Sequence, residues 1–360
     1  MFAAIRRWFD DNILELGREM RLSYLPPLMV YVAAGVSGLT GIVGTFFVKE
    51  YLGLSAAFLA ALGFWAGIPW ALKMPLGHLV DLIWRHKAGL VWLGASLIAA
   101  SLLIMLGLVA EPQYMRGIMP LEAWYVVAAL LSPVGYVLQD VVADAMTVEA
   151  VPRVDEHGEL LPPETRRLMN TTLQMLGRVA IIGGGVLVSL VNVVMFAGVE
   201  SLPNPARVAI YAQVYGMALV IPAISVAGVL LASLIRRREA GRLRARGFDE
   251  ATLRAMLEPP TEPVKPDWWI LGGSLVFVAI SVSVGVSQIG FGQEIIFLGS
   301  FAVITFLMLK LLRELDEDSR RTLLGTAIVI FVFRAMPGPG AGSTWWMIDV
   351  LGFDQSFLAR

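Results

Sequence analysis

The chain has 360 residues, of which 57% are hydrophobic and only 16% charged, with a formal net charge of -1. Soluble domains carry nearer a quarter charged residues, so this composition belongs to the membrane class, and the balanced charge argues against nucleic acid as a partner. There are no cysteines, which excludes disulfide frameworks, thiolate metal sites and cysteine nucleophiles. The three histidines (His78, His86 and His157) are read in polar connections, so neither a metal site nor a cofactor is expected, and nothing points to an enzyme.

Residues 1–23 place Ile5, Phe9, Ile13 and Leu16 at helical spacing among charged residues, which predicts an amphipathic helix on the cytoplasmic membrane surface. Nine apolar stretches follow, near 24–47, 55–76, 88–110, 123–147, 169–198, 208–235, 268–288, 293–312 and 322–347. Each is long enough to cross a hydrocarbon core of ~30 Å as a helix. Glycines are dense in the first (Gly35, Gly38, Gly41, Gly44) and the fifth (Gly183, Gly184, Gly185), and small residues of this kind let membrane helices approach closely. Taking the N-terminus as cytoplasmic, 22 of the 28 Lys and Arg residues fall on one side, which fixes that orientation by the positive-inside rule. Residues 24–235 then form a six-helix bundle, 236–267 a cytoplasmic loop with a short surface helix from Phe248 to Leu257, and 268–312 two extra spans. Residues 322–360 read as the first helix of a C-terminal half, cut short, with the last residues leading toward another span. A second chain supplying the remainder stays open.

Three segments carry candidate chemistry. The first follows the second span and holds Lys73, Gly77, Asp81, Arg85 and Lys87. Glycine permits a tight helix–loop junction, and Asp81 can meet a helix N-terminus or a basic partner, so the segment is either a latch that gates the cytoplasmic side or an ordinary basic loop. The second is the end of the fourth span, where Asp140 and Asp144 share one helix face at i and i+4. Asp140 lies roughly 10 Å inside the membrane and Arg178 of the fifth span roughly 13–15 Å, counted from the same side. Carboxylates at such depth need a partner or water, so Asp140 and Arg178 form either a static ion pair or one that answers to substrate or protons, with Asp144 in a coupling role. The third is Arg334, roughly 18 Å into the last span, followed by Pro337-Gly338-Pro339-Gly340. A helix broken at that depth beside a cation is a common furnishing of transporter sites. Alternatively, the span ends near Ala335 and Arg334 reaches the headgroups. Trp65, Trp70, Trp345 and Trp346 suit either an interfacial belt or a stacked planar ligand.

Together these residues resemble the folate–biopterin transporter family of the major facilitator superfamily. The resemblance runs through Pro26-Pro27 to Gly35, Phe46 to Ser55, Lys73 to Asp81, Asp140 to Asp144 with Glu149, and Phe333 to Trp346 with Leu351 to Leu358. It implies an all-α polytopic protein with a facilitator-like bundle, incomplete at about nine spans, in the bacterial inner membrane. It further implies secondary active transport of a small organic anion, folate or a pterin, coupled to protons or exchange. Arg334, Asp140 and Arg178 would bind the substrate, while Asp144, Gly77, Asp81, Lys73 and Lys87 would couple or gate. A muropeptide-permease-like transporter and a non-transporting membrane assembly factor are the competing readings.

Overall fold

The computed structural model describes residues 20–152, 159–248, 264–287, 289–313, 315–336 and 338–359. The fold is all-α, with fifteen α-helices among the described residues. In chain order they are α1 (Leu25–Gly35), α2 (Gly41–Glu50), α3 (Ala56–Ala71), α4 (Lys73–Leu82), α5 (Ala88–Ala110), α6 (Pro112–Ile118), α7 (Leu121–Ala150), α8 (Pro163–Met195), α9 (Asn204–Ala218), α10 (Val220–Ala245), α11 (Trp268–Ser287), α12 (Gly292–Leu312), α13 (Glu317–Ala335), α14 (Ala341–Asp349) and α15 (Gln355–Ala359). Among the described residues, eight stretches are long and apolar enough to cross a membrane: Leu22–Glu50, Ala56–Leu82, Ala88–Ala110, Leu121–Ala150, Pro163–Ser201, Asn204–Ala245, Trp268–Gly285 and Gly292–Lys310. The protein is therefore a polytopic helical membrane protein.

The helices fall into two compact units. The first comprises residues 1–54, 83–264 and 353–360, and the second comprises 55–82 and 265–352. In the first unit α1 packs against α7, α8 and α10, and α5 packs against α7, α9 and α10. Glycine sets two of these crossings. A Cβ on Gly35 would collide with the Ile181 carbonyl, and one on Gly184 would come 2.8 Å from the Gly35 backbone, so α1 and α8 touch backbone to backbone. Gly94 of α5 and Gly135 of α7 do the same, each Cβ position lying 2.6 Å from the other's carbonyl oxygen. Gly41, Gly183 and Gly185 face open space, so of the glycines singled out in the sequence Gly35 and Gly184 carry the backbone contact. On the outer face of α8, Ile182, Val186, Leu190 and Val194 recur every fourth residue and are 56–75% exposed. That stripe would be a liability in water and is ordinary against acyl chains.

Two sequence boundaries shift. The Lys73–Asp81 segment is not a loop: Lys73–Leu82 is helical as α4. Pro75 sits in its first turn, where a missing N–H costs nothing because first-turn N–H groups have no intrahelical partner. Further along the chain, α10 continues through Ala245, so residues 236–245 prolong the helix of the sixth span. The surface helix expected at Phe248–Leu257 lies, apart from Phe248 itself, outside the described residues, as does the amphipathic segment up to residue 19.

The stretch at 322–347 is two helices, with Met336 extended after α13 and α14 restarting at Ala341. This is the expected interruption, although Pro337 itself is outside the described residues. Neither helix is among the eight stretches long and apolar enough to cross a membrane by itself. Within the first unit, Gln355 of α15 donates to the Tyr211 hydroxyl (3.0 Å), beside Tyr51 and Phe196. The last described residues form α15, whose Gln355 and Ala359 are buried in the first unit.

Candidate functional site

The first unit gathers polar side chains at two places inside its apolar packing. The inner cluster centres on Tyr31 of α1, which is 5% exposed. Its hydroxyl donates to Asp144 Oδ1 of α7 at 2.7 Å. Thr147 Oγ1 donates to the Asp144 carbonyl (2.6 Å) and accepts from Gln174 Nε2 of α8 (3.1 Å). The charges of Asp140 and Arg178 also reach Tyr31. Gly177 makes the approach possible, because a Cβ there would meet the Tyr31 ring at 2.9 Å. The ring packs with Leu28, Ala143, Met169, Leu173 and Leu176, so the phenol–carboxylate bond is screened from bulk water on its apolar side and gains strength from that surrounding.

Sequence reasoning placed Asp140 and Arg178 at similar depth and Asp144 on the same helix face as Asp140; Asp144 accepts from Tyr31, and the charges of Asp140 and Arg178 reach that same side chain. Asp140 and Asp144 are half-buried, and Arg178 is exposed on α8. Tyr31, Thr147 and Gln174 were missed as members. The i, i+4, i+8 and i+12 spacing of Arg166, Asn170, Gln174 and Arg178 was the available signal, since it puts four polar residues on one face of an otherwise apolar helix.

The second cluster lies nearer the end of the unit. Lys87, directly before α5, is 6% exposed. Its Nζ donates to Glu149 Oε1 of α7 (2.6 Å) and to the Trp84 carbonyl (3.3 Å), and lies 3.9 Å from the Trp84 ring centroid. Arg236 of α10 donates to the same Glu149 oxygen at 2.8 Å. Burial pushes the Lys87 amine below its ordinary value, and the Glu149 carboxylate recovers part of the shift. This three-helix clamp joins the third, fourth and sixth spans. Deeper along α7 than either cluster, Gln139 accepts from Ser225 (3.0 Å) and donates to the Val91 carbonyl (3.5 Å), tying the same three spans again.

A polar cleft of about 450 Å³ opens beside the inner cluster, lined by Pro163, Arg166, Arg167, Asn170, Thr171 and Gln174. Gln174 belongs to both, so the cleft leads from the surface to the hydrogen-bonded chain that ends on Asp144.

The remaining sequence candidates belong to the second unit, except Lys87, whose carboxylate partner is Glu149. Gly77 has ordinary helical backbone inside α4 and serves no helix–loop junction. Lys73 opens that helix and Asp81 is exposed near its end. His78 is helical as well, not in a connection: its Nε2 accepts from the Asp267 N–H at 2.9 Å. Asp267 in turn caps α11 by accepting from the Trp269 and Ile270 N–H groups (2.9 and 3.4 Å), with Lys310 of α12 at 3.7 Å. Arg334 is exposed in the last turn of α13, where a cation meets the free carbonyls of a helix C-terminus favourably. No group of three or more metal-ligating side chains occurs among the described residues.

Comparison with characterised proteins gives one informative likeness. The chain is 28% identical over 152 residues to a protein of Synechocystis sp. described as a folate-biopterin transporter. The matched region is 41% of this chain and 28% of that protein's length, so it covers well under a third of the relative. No family model matches, and no solved structure matches. A polytopic helical membrane protein, similar over part of its length to a transporter, is what fold and comparison establish together.

Proposed function

We propose that the chain is a secondary active transporter of small organic anions, folate or a pterin, in the facilitator manner, with its N-terminus in the cytoplasm of a bacterial plasma membrane. The observation that carries the reading is the Tyr31–Asp144 bond with Asp140 and Arg178 around it, between the first, fourth and fifth spans. Ionisable groups within spans are costly and persist where they serve a path for substrate or protons. A carboxylate held by a phenol and flanked by a second carboxylate and an arginine has two states to offer. Ionised, Asp144 accepts from Tyr31. Protonated, it can keep that bond only through its remaining lone pairs, and the net charge of the cluster rises by one. A substrate anion would find Arg178 available in the second state, which couples anion binding to proton binding. Arg334 of the second unit, with a broken helix behind it, is by itself also suited to a carboxylate. The likeness to the Synechocystis transporter supports the substrate class.

The test is binding of labelled folic acid to the purified chain in lipid nanodiscs, with unlabelled pterin as competitor. The reading expects saturable binding that strengthens as pH falls, and loss of that pH dependence in Asp144→Asn. Binding that is pH-independent in the unmodified protein, or no binding, would reject the coupling role.

A further inference from the structure

We propose that the cleft at the start of α8 is a separate binding site for a small dicarboxylate carrying a hydrogen-bond donor, with Arg166 and Arg167 as its charged groups. The inference stands on the cleft and does not depend on what the protein transports. Its volume, about 450 Å³, lies in the range of small-ligand sites (~300–1,000 Å³). Among the described residues its lining is basic and neutral-polar, with no carboxylate.

Arg166 points to the ligand's charge. Its Nε is buried and has no hydrogen-bond partner among the described residues. A buried guanidinium N–H without an acceptor costs free energy, and in native proteins it is normally satisfied. A carboxylate satisfies it and grips the fork with two parallel bonds, and Arg167 on the neighbouring position provides a second fork, hence two carboxylates. The neutral residues point to the rest of the molecule. The Thr171 hydroxyl already donates to the Arg167 carbonyl (3.0 Å), and Gln174 Nε2 already donates to Thr147 (3.1 Å). Thr171 therefore keeps only lone pairs, and Gln174 keeps Oε1 beside its second N–H, so both offer acceptors. They match an N–H or O–H on the ligand. Positive charge at the N-terminal end of the 33-residue α8 adds a favourable field. Gln174 also places such an anion one hydrogen bond from the Thr147–Asp144 chain.

The experiment is isothermal titration of N-acetyl-L-glutamate, two carboxylates and one amide N–H, into the full chain in phosphatidylcholine nanodiscs. Saturable binding is expected, with N-acetyl-L-glutamine weaker. Arg166→Gln/Arg167→Gln should raise Kd at least about tenfold, roughly 1.4 kcal/mol. Arg237→Gln/Arg238→Gln, which removes equal charge from α10 at the same end of the bundle, should leave Kd unchanged. If the Gln pair fails to fold, Arg166→Lys/Arg167→Lys keeps the charge and should still weaken binding, with helical content by circular dichroism intact. A second arm replaces a third of the lipid with phosphatidylglycerol. Competition by that lipid, lost in the Gln pair, keeps the oxyanion site but assigns it to a headgroup. Absence of saturable binding, or equal loss in the α10 control, overturns the proposal.

Discussion

Replacing Glu149 by Gln should destabilise the bundle far more than replacing Arg236, although both partners touch the same oxygen. Lys87 is 8% exposed at its side chain and Glu149 17%, whereas Arg236 is 52% exposed. Glu149→Gln leaves an ammonium buried against the Trp84 ring and one carbonyl, and stranding one member of a buried pair costs about 3–5 kcal/mol. The glutamine oxygen still accepts one hydrogen bond, so about 2–4 kcal/mol is the expected loss. Arg236→Gln breaks a bond open to solvent, for which about 0–1 kcal/mol is expected. A pH series adds a sign. In the folded state Lys87 already titrates below the 10.5 of a free lysine, and losing the carboxylate lowers it further. Between that lowered value and 10.5 the unfolded chain binds the proton that the folded chain has released, so stability rises with pH across the window. The deficit of Glu149→Gln should therefore shrink as pH is raised toward 10.5. Denaturant titration of the purified chain in detergent, followed by tryptophan fluorescence, measures both quantities. Equal losses for the two variants, or a deficit that grows with pH, would refute the assignment of Lys87 as the buried partner.

Gly184→Val should disrupt the α1–α8 crossing by several kcal/mol because no side chain can yield where two backbones touch, while Gly183→Val, which faces open space, should be near neutral; thermal melts of the two variants decide. Tyr31→Phe removes the donor to Asp144 at a cost of about 1–2 kcal/mol and should shift the pH profile of folate binding, and an unshifted profile would separate Tyr31 from the coupling group. If Asp140 and Arg178 pair, Asp140→Asn/Arg178→Gln should be more stable than either single variant, since it strands neither charge. Reporter fusions at 245 and 355 should show cytoplasmic activity at the first and none at the second. Activity at both would contradict the expected count of nine spans.

The apolar spans were readable in the sequence because hydropathy over some 20 residues is a local property. So was the pairing of Asp140 with Asp144 on one face, which follows from helical spacing alone. The clamp was not readable: Lys87, Glu149 and Arg236 lie 62 and 87 positions apart, and nothing local marks which of many basic residues a buried glutamate will meet. Tyr31 was hidden for a related reason. A tyrosine in an apolar run reads as packing, and only the α1–α7 contact across 113 positions reveals its hydroxyl partner. The Lys73–Leu82 helix was not readable because a short charged stretch carrying Pro75 fits a connection equally well, a first-turn proline being compatible with a helix.

The central claim, that Asp144 couples proton binding to anion transport, is tested most directly by uptake of labelled folic acid into proteoliposomes under an imposed inward proton gradient. The account predicts accumulation that collapses when a protonophore removes the gradient and that is absent in Asp144→Asn despite normal reconstitution. Accumulation by Asp144→Asn equal to that of the unmodified chain, or none above empty liposomes by either, would contradict it.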